Sequence, residues 1–319
     1  MRYEQLSVGE LEVDTVIGGA GSSSWRNTYY LNAALGSDGN TGKSFSQPLK
    51  TWATAKAKLE TLKKDRIILE ESASAVSVGS TFTFDKSLCG LMGTAQNNTS
   101  QRSRIGMSTT FTPFVSITGY GNQFKNLYFQ HGTASTDLVG FSMTGNYNYY
   151  ENVHFAGPMA AAQSTTGYVG SQITSTGNYY KGCVFGNNTC ALNGAYPVVQ
   201  MSVPSNSYCY NVFEDCTFLA FISATTPVFF NVTNTVGEVY AEFKNCRFIA
   251  TSSNMLTKMA TAFTFTAGYT AAMIIQPDCQ FTGVTALGTT AGGAFIHVPV
   301  SAFPAATDHV ALIANALTI

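Results

Sequence analysis

Charge is scarce in this chain of 319 residues, where Asp, Glu, Lys and Arg together make up 11%. Seventeen Lys and Arg stand against eighteen Asp and Glu, so the formal net charge is -1 and there is no basic surplus to neutralise a phosphate backbone. Nucleic acid is therefore excluded as an expected partner. Long apolar runs are missing too: Pro304, Asp308 and His309 break even the Ala- and Val-rich C-terminal stretch, so membrane insertion is not expected. The opening Met1-Arg2-Tyr3-Glu4-Gln5-Leu6 is followed by Glu10, Glu12 and Asp14 rather than an apolar core, which predicts no secretory signal. The seven cysteines form no close pairs, which argues against a zinc site, and an odd number without a leader argues against a disulfide framework. Gly18-Gly19-Ala20-Gly21 lacks the lysine and helix of a phosphate loop. No cofactor and no metal are expected.

In place of charge the chain has repetition. Six segments share one pattern: an aromatic or aliphatic residue, a polar one, a small turn-former, a compact apolar residue, a variable residue and phenylalanine. They are 124–129, 150–155, 180–185, 213–218, 243–248 and 276–281, and their closing phenylalanines are 26, 30, 33, 30 and 33 residues apart. Strand-like segments at such a period are the signature of stacked coils. Equivalent residues then fall into columns. The first aromatics and the closing phenylalanines point inward, as does the set Leu127, Val153, Cys183, Cys216, Cys246 and Cys279. Asn126, Asn152, Gly182, Asp215, Asn245 and Asp278 suit a tight corner, because these residue types tolerate the left-handed backbone. Lys125, Glu151, Lys181, Glu214 and Lys244 point outward with alternating sign, a register that stacked strands favour.

Ahead of the repeats, residues 1–28 end in a Gly/Ser linker and contain the alternating stretch Leu11 to Ile17, which predicts an attachment arm. Trp52, Ala55, Leu59 and Leu62 have helical spacing behind a Thr51 cap, predicting a helix over 52–64 that covers the end of the solenoid. Residues 284–319 are apolar and nearly uncharged, and read as a terminal cap or oligomerisation segment. The order of a strand at Tyr29 to Leu31, then Gly36-Ser37-Asp38-Gly39-Asn40-Thr41-Gly42, then Pro48-Leu49-Lys50-Thr51 and a short helix resembles the opening of right-handed parallel β-helix proteins. That resemblance covers residues 29–283 and implies an all-β single-stranded solenoid with an N-terminal capping helix and an extended arm.

Chemistry is harder to find. Glycan cleavage needs two carboxyl groups in one cleft. The candidates after the helix are Asp137, Glu151, Glu214, Asp215, Glu238 and Glu242. The charge ladder and the corner column already explain Glu151, Glu214 and Asp215, while Asp137 is free of the repeat. His131, His154, His297 and His309 are widely separated and read as surface histidines, and the Asp38-Gly39-Asn40 loop carries no argument for a metal. Tyr147, Tyr149, Tyr150, Tyr179, Tyr180, Tyr208 and Tyr210 recur before successive repeats, and the outward half of them would suit a sugar chain. No catalytic residue is assigned.

The arm, cap, bare solenoid and lack of an evident active site resemble the layout of bacteriophage head-fibre and tailspike proteins. The resemblance implies a non-enzymatic virion component on the capsid or as a spike, held to another virion protein through residues 1–28. A homotrimer and a host surface glycan are the expected partners. The alternatives are a tailspike-like glycan hydrolase or lyase and a non-catalytic glycan-binding adhesin.

Overall fold

The computed structural model describes residues 25–95, 103–107, 112–131, 139–158, 168–202, 207–233, 237–254, 256–265, 270–288 and 293–297. The predicted arm therefore lies, through residue 24, outside the described residues, as do Asp137 and residues 298–319. Within the described residues the chain is an all-β, right-handed parallel β-helix. Its first sheet runs through Asn27–Leu31, Asp65–Leu69, Gly90–Gly93, Gln123–His131, Tyr149–Pro158, Tyr179–Lys181, Tyr208–Glu214, Glu238–Lys244, Thr270–Ile275 and Gly293–His297. The second sheet continues round a corner through Val184–Leu192, Thr217–Ile222, Arg247–Ser252 and Gln280–Thr282. A third runs from Phe82–Phe84 through Val115–Ile117, Val139–Met143, Val169–Ile173, Pro197–Met201 and Val228–Val232 to Phe263–Phe265. Strand pairing extends beyond residue 283, since Val284–Ala286 pairs with Met259–Thr261 and Gly293–His297 with Thr270–Ile275.

The columns predicted from the repeat are present. Phe124, Tyr150, Tyr180, Phe213 and Phe243 are fully buried and stack at centroid spacings of 5.0, 4.7, 4.8 and 5.2 Å. These match the spacing of neighbouring strands, so each ring lies on its counterpart in the next coil. Phe129, Phe155, Phe185, Phe218 and Phe248 form a second stack, also fully buried. Each such ring removes roughly 1.5–3 kcal/mol worth of apolar surface from water. The turn between the two stacks has the expected left-handed backbone, with φ of 54, 56, 59, 56 and 49° at Asn126, Asn152, Gly182, Asp215 and Asn245.

A polar ladder accompanies the rings inside the solenoid. Asn122, Asn148, Asn178 and Asn211 are buried, and each Oδ1 accepts the backbone N–H of the preceding coil: Cys89 at 2.9 Å, Asn122 at 2.8 Å, Asn148 at 2.7 Å and Asn178 at 3.0 Å. Such pairing offsets the cost of burying an amide, and Nδ2 of Asn148, Asn178 and Asn211 is paired as well, while Asn122 Nδ2 has no partner among the described residues.

Two predicted details differ. The helix is Trp52–Lys58, half the predicted length, because Leu59 leaves it in extended conformation and Leu62 and Lys64 take φ of 64 and 57°. Leu62 is consequently half exposed, and the chain turns to enter Asp65–Leu69. Thr51 does cap the helix, accepting from Thr54 N, and Trp52 stacks on Phe82 at 4.2 Å to cover the end of the core. The sixth repeat is also one residue longer: Phe243 pairs with Ile275, not Gln276, whereas Phe248 still pairs with Phe281. The extra residue is taken up in the turn at Pro277 and Asp278, and the Asp278 carboxylate accepts Asn245 N at 2.9 Å.

Candidate active site

Outward side chains of the first sheet bring three columns together between the strands Gln123–His131 and Glu238–Lys244. One is the charge ladder. Lys125 Nζ meets Glu151 at 2.7 Å and Lys181 Nζ meets Glu214 at 3.0 Å, so the predicted alternation is made of real ion pairs. Two residues earlier in each strand the next column reads Gln123, Tyr149, Tyr179, Val212 and Glu242, by the register of the strands. Tyr149 and Tyr179 stack at 5.9 Å, and the Tyr179 hydroxyl donates to Glu214. Two residues earlier again lie Gly121, Tyr147, Gly177, Tyr210 and Tyr240.

Glu214 and Glu242 stand out in this setting. They occupy diagonal positions on neighbouring strands, one coil and two residues apart, which places their Cα atoms about 8 Å from each other. Glu242 accepts from Tyr210 Oη at 3.0 Å and Gln276 Nε2 at 3.1 Å, with Lys244 Nζ at 3.4 Å. Partial burial works against its charge, but Gln276, Tyr210 and Lys244 outweigh that and hold its pKa below the usual carboxylate value. The Tyr179 hydrogen bond and the Lys181 ammonium likewise lower Glu214. Both are ionised at neutral pH. The phenols respond in the opposite sense: Glu214 raises Tyr179, burial and Glu242 raise Tyr210, and burial with Glu151 pushes Tyr149 up to about 12. None of these three phenols is a phenolate near neutrality.

The remaining candidates have structural occupations. Asp215 sits at the corner and accepts from Asn245 Nδ2 at 2.7 Å, while Glu238 accepts from Tyr240 at 3.0 Å at the edge of the face. Asp38 accepts from Lys50 N, Thr51 N and the Thr51 hydroxyl, which ties the N-terminal loop to the capping helix and spends its lone pairs. Among the described residues no group of three His, Cys, Asp or Glu is placed to hold a metal ion. All seven cysteines are buried, and none forms a disulfide. His154 is not the surface residue expected: it is 7% exposed, Nε2–H donates to the Gly186 carbonyl at 2.8 Å, and its ring packs on Tyr128 at 4.9 Å. Burial lowers its pKa to about 4, against the Gly186 contact. A cleft lined by Gly157, Tyr168, Asn187 and Cys190 lies away from the first sheet's outer face, and its roughly 20 Å³ has room for water but not for a sugar ring.

Glu242 was named in the sequence only as one acid among several. Two of its partners were invisible there, because Tyr210 comes from the preceding coil and Gln276 from just beyond Thr270–Ile275 in the next, while Lys244 lies two residues on in the same strand. Of the tyrosines, Tyr150 and Tyr180 point into the core, whereas Tyr147, Tyr208 and Tyr210 are exposed.

No family model matches the chain, and no curated protein matches it. Solved structures do. The pectate lyase Pel9A matches with a TM-score of 0.61 over 86% of this chain and 68% of its own, at 17% identity. A pectin methylesterase, PemA from Erwinia chrysanthemi, and a rhamnogalacturonan lyase match with TM-scores of 0.43 and 0.36, at 11% and 14% identity. PemA is matched over 90% of this chain and 92% of its own, the rhamnogalacturonan lyase over 86% and 84%, and of the three only the likeness to Pel9A is close enough to compare folds.

The likeness to Pel9A corrects the expectation of a non-enzymatic protein. A bare solenoid was weighed against catalysis, yet the same solenoid is the body of a lyase. The charge ladder was weighed against it too, but a carboxylate in a ladder still faces solvent beside its neighbours. What stands of the family expectation is the parallel β-helix. The virion placement rested on the arm of residues 1–28 together with the capping helix, the bare solenoid, the missing export signal and the lack of an evident active site; residues 1–24 lie outside the described residues, and the matched structures lend the placement no support.

Proposed function

We propose that this chain binds and cleaves a polysaccharide laid across the outer face of its first sheet, with Glu214 and Glu242 as the reacting carboxyl pair. The observation that carries this reading is their diagonal placement on neighbouring strands, about 8 Å apart at Cα, which sets two carboxylates side by side on one outward face. A proton donor and a water-activating base on one face suit hydrolysis of a glycosidic bond. Glu242 is the candidate acid of the pair: Gln276, Tyr210 and Lys244 keep it ionised in the free protein, but its side chain is 17% exposed against 26% for Glu214, so a sugar that excludes water and displaces those partners would raise its pKa. Glu214, held ionised by Tyr179 and Lys181, is the base that activates water.

The test is incubation of the purified protein with a panel of neutral and acidic polysaccharides, following new reducing ends and the ultraviolet absorbance of a new carbon–carbon double bond. Reducing ends without unsaturation are expected, and Glu242→Gln should lower the rate by about 10²–10⁴-fold with the melting temperature retained. Unsaturated products would replace the carboxyl-pair mechanism with elimination. An inert wild-type protein would overturn the reading as a whole.

A further inference from the structure

Tyr147 has a backbone that its side chain does not favour. Its φ is 58°, a conformation in which a bulky L-residue is an outlier and glycine is at ease. The same position in consecutive coils is Leu88, Gly121, Tyr147 and Gly177, and all four share positive φ, at 53, 65, 58 and 73°. The backbone turn is thus a fixture of the fold, yet only two of the four coils carry the residue that suits it.

The alternation has a spatial meaning. A Cβ added to Gly177 would run into Cδ1 and Cε1 of the Tyr147 ring, so that ring lies flat on the backbone of the next coil. Leu88 lies over Gly121 in the same manner. The two differ in what they leave outside: Leu88 is 36% exposed and Tyr147 61%. Among the described residues no hydrogen bond, ion pair or ring contact of the Tyr147 side chain is present. One face of the ring is seated and the other is open to water. This differs from Tyr149 and Tyr179, whose rings face each other and whose hydroxyls serve the carboxylates.

We infer that Tyr147, seated on Gly177, is a stacking subsite for one pyranose ring of a neutral glycan. An aromatic face takes up the apolar face of a sugar without a charge. The neutral class follows from the neighbours. Lys125 and Lys181 are engaged by Glu151 and Glu214, and Lys244 by Glu242, so among the described residues of these columns no lysine is left over for a uronate. Tyr147 is three coils and two residues from Glu242, about 16 Å by strand geometry, so it holds a different sugar unit from the one being cleaved. The inference rests on the polysaccharide reading above and adds its subsite and substrate class.

Tyr147→Gly separates binding from folding, because glycine relieves the positive φ while removing the ring. Wild type and variant are compared by affinity electrophoresis and steady-state kinetics on xylan, glucomannan and galactan against polygalacturonate and alginate, together with thermal melts. The expected result is retardation of the wild type by a neutral polymer, about tenfold weaker in the variant, with KM raised about tenfold, kcat within about twofold and a melting temperature equal or higher. Tyr147→Trp should keep the affinity. A variant that melts lower and binds as the wild type does would make the ring a packing element and overturn the subsite. Preference for a polyuronate would overturn the neutral class. Should the wild type cleave and Tyr147→Gly cleave with unchanged KM, the subsite alone falls; should the wild type neither bind nor cleave any polymer, the parent reading falls and takes the subsite with it.

Discussion

The outer faces of the first and third sheets are built from the same coils, yet they carry different chemistry. On the third sheet the outward column reads Thr83, Ser116, Ser142, Gln172, Gln200, Asn231 and Thr264, all uncharged, with Gln172 Nε2 donating to Gln200 Oε1 at 3.1 Å. On the first sheet the same coils present Tyr, Lys and Glu. Both faces cover cores of phenylalanine, tyrosine and aliphatic side chains. A solenoid coil therefore asks only that an outward residue be polar and compatible with its stacked neighbours. The ionised carboxylates and exposed tyrosines of one face exceed that requirement, and this excess is the physical basis for placing function there.

The comparison breaks most visibly if inner and outer positions respond alike. Phe185 lies between Phe155 and Phe218 at 5.1 and 5.2 Å and is fully buried, so Phe185→Ala should cost about 3–5 kcal/mol in denaturant unfolding. On the third-sheet face Gln200→Ala should stay within about 0.5 kcal/mol. Comparable losses would mean that the outer column carries the fold.

Where Tyr149–Pro158 rounds the corner to pair with Val184–Leu192, His154 sharpens the contrast. Its Nε2–H is given to Gly186, and Nδ1 is buried with no hydrogen-bond partner among the described residues, so a second proton has no acceptor. The folded pKa of about 4 lies below the ordinary 6.5, which means that the unfolded chain binds the proton first. Stability contributed by neutral His154 is complete above pH 6.5 and falls as the pH drops toward 4, by about 3 kcal/mol in all. His154→Gln should flatten the melting profile across that window. A wild-type profile already flat there would place the ring in contact with water.

The smallest effect belongs to the charge ladder. Lys181 is half exposed, so Lys181→Met should change stability by less than about 1 kcal/mol while letting the Glu214 pKa climb. NMR titration of the Glu214 carboxyl carbon measures the shift. An unmoved titration would show that Tyr179 alone holds Glu214 ionised.

Much of this arrangement was legible in the amino-acid order. The closing phenylalanines, the compact apolar column and the Asn, Asp and Gly corners announced themselves because each recurs with the coil. The buried ladder of Asn122, Asn148, Asn178 and Asn211 also had a signal, an asparagine two residues before the first aromatic in four successive repeats, but its polarity hid its position in the core. His154 was misplaced because strand alternation describes only its own strand, and the cover comes from Gly186 in the next coil. The sixth repeat slipped by a residue because Gln276 fits the pattern in composition while Ile275 holds the pairing.

Sequence alone determined the solenoid and the identity of its inner columns, since stacking repeats every coil and so writes itself into the chain. Tertiary structure alone decided which outward residues meet. Glu214 and Glu242 are 28 residues apart in the chain and come together only when neighbouring strands set their register. A diagonal contact across coils depends on that register, so it leaves no periodic mark in the sequence.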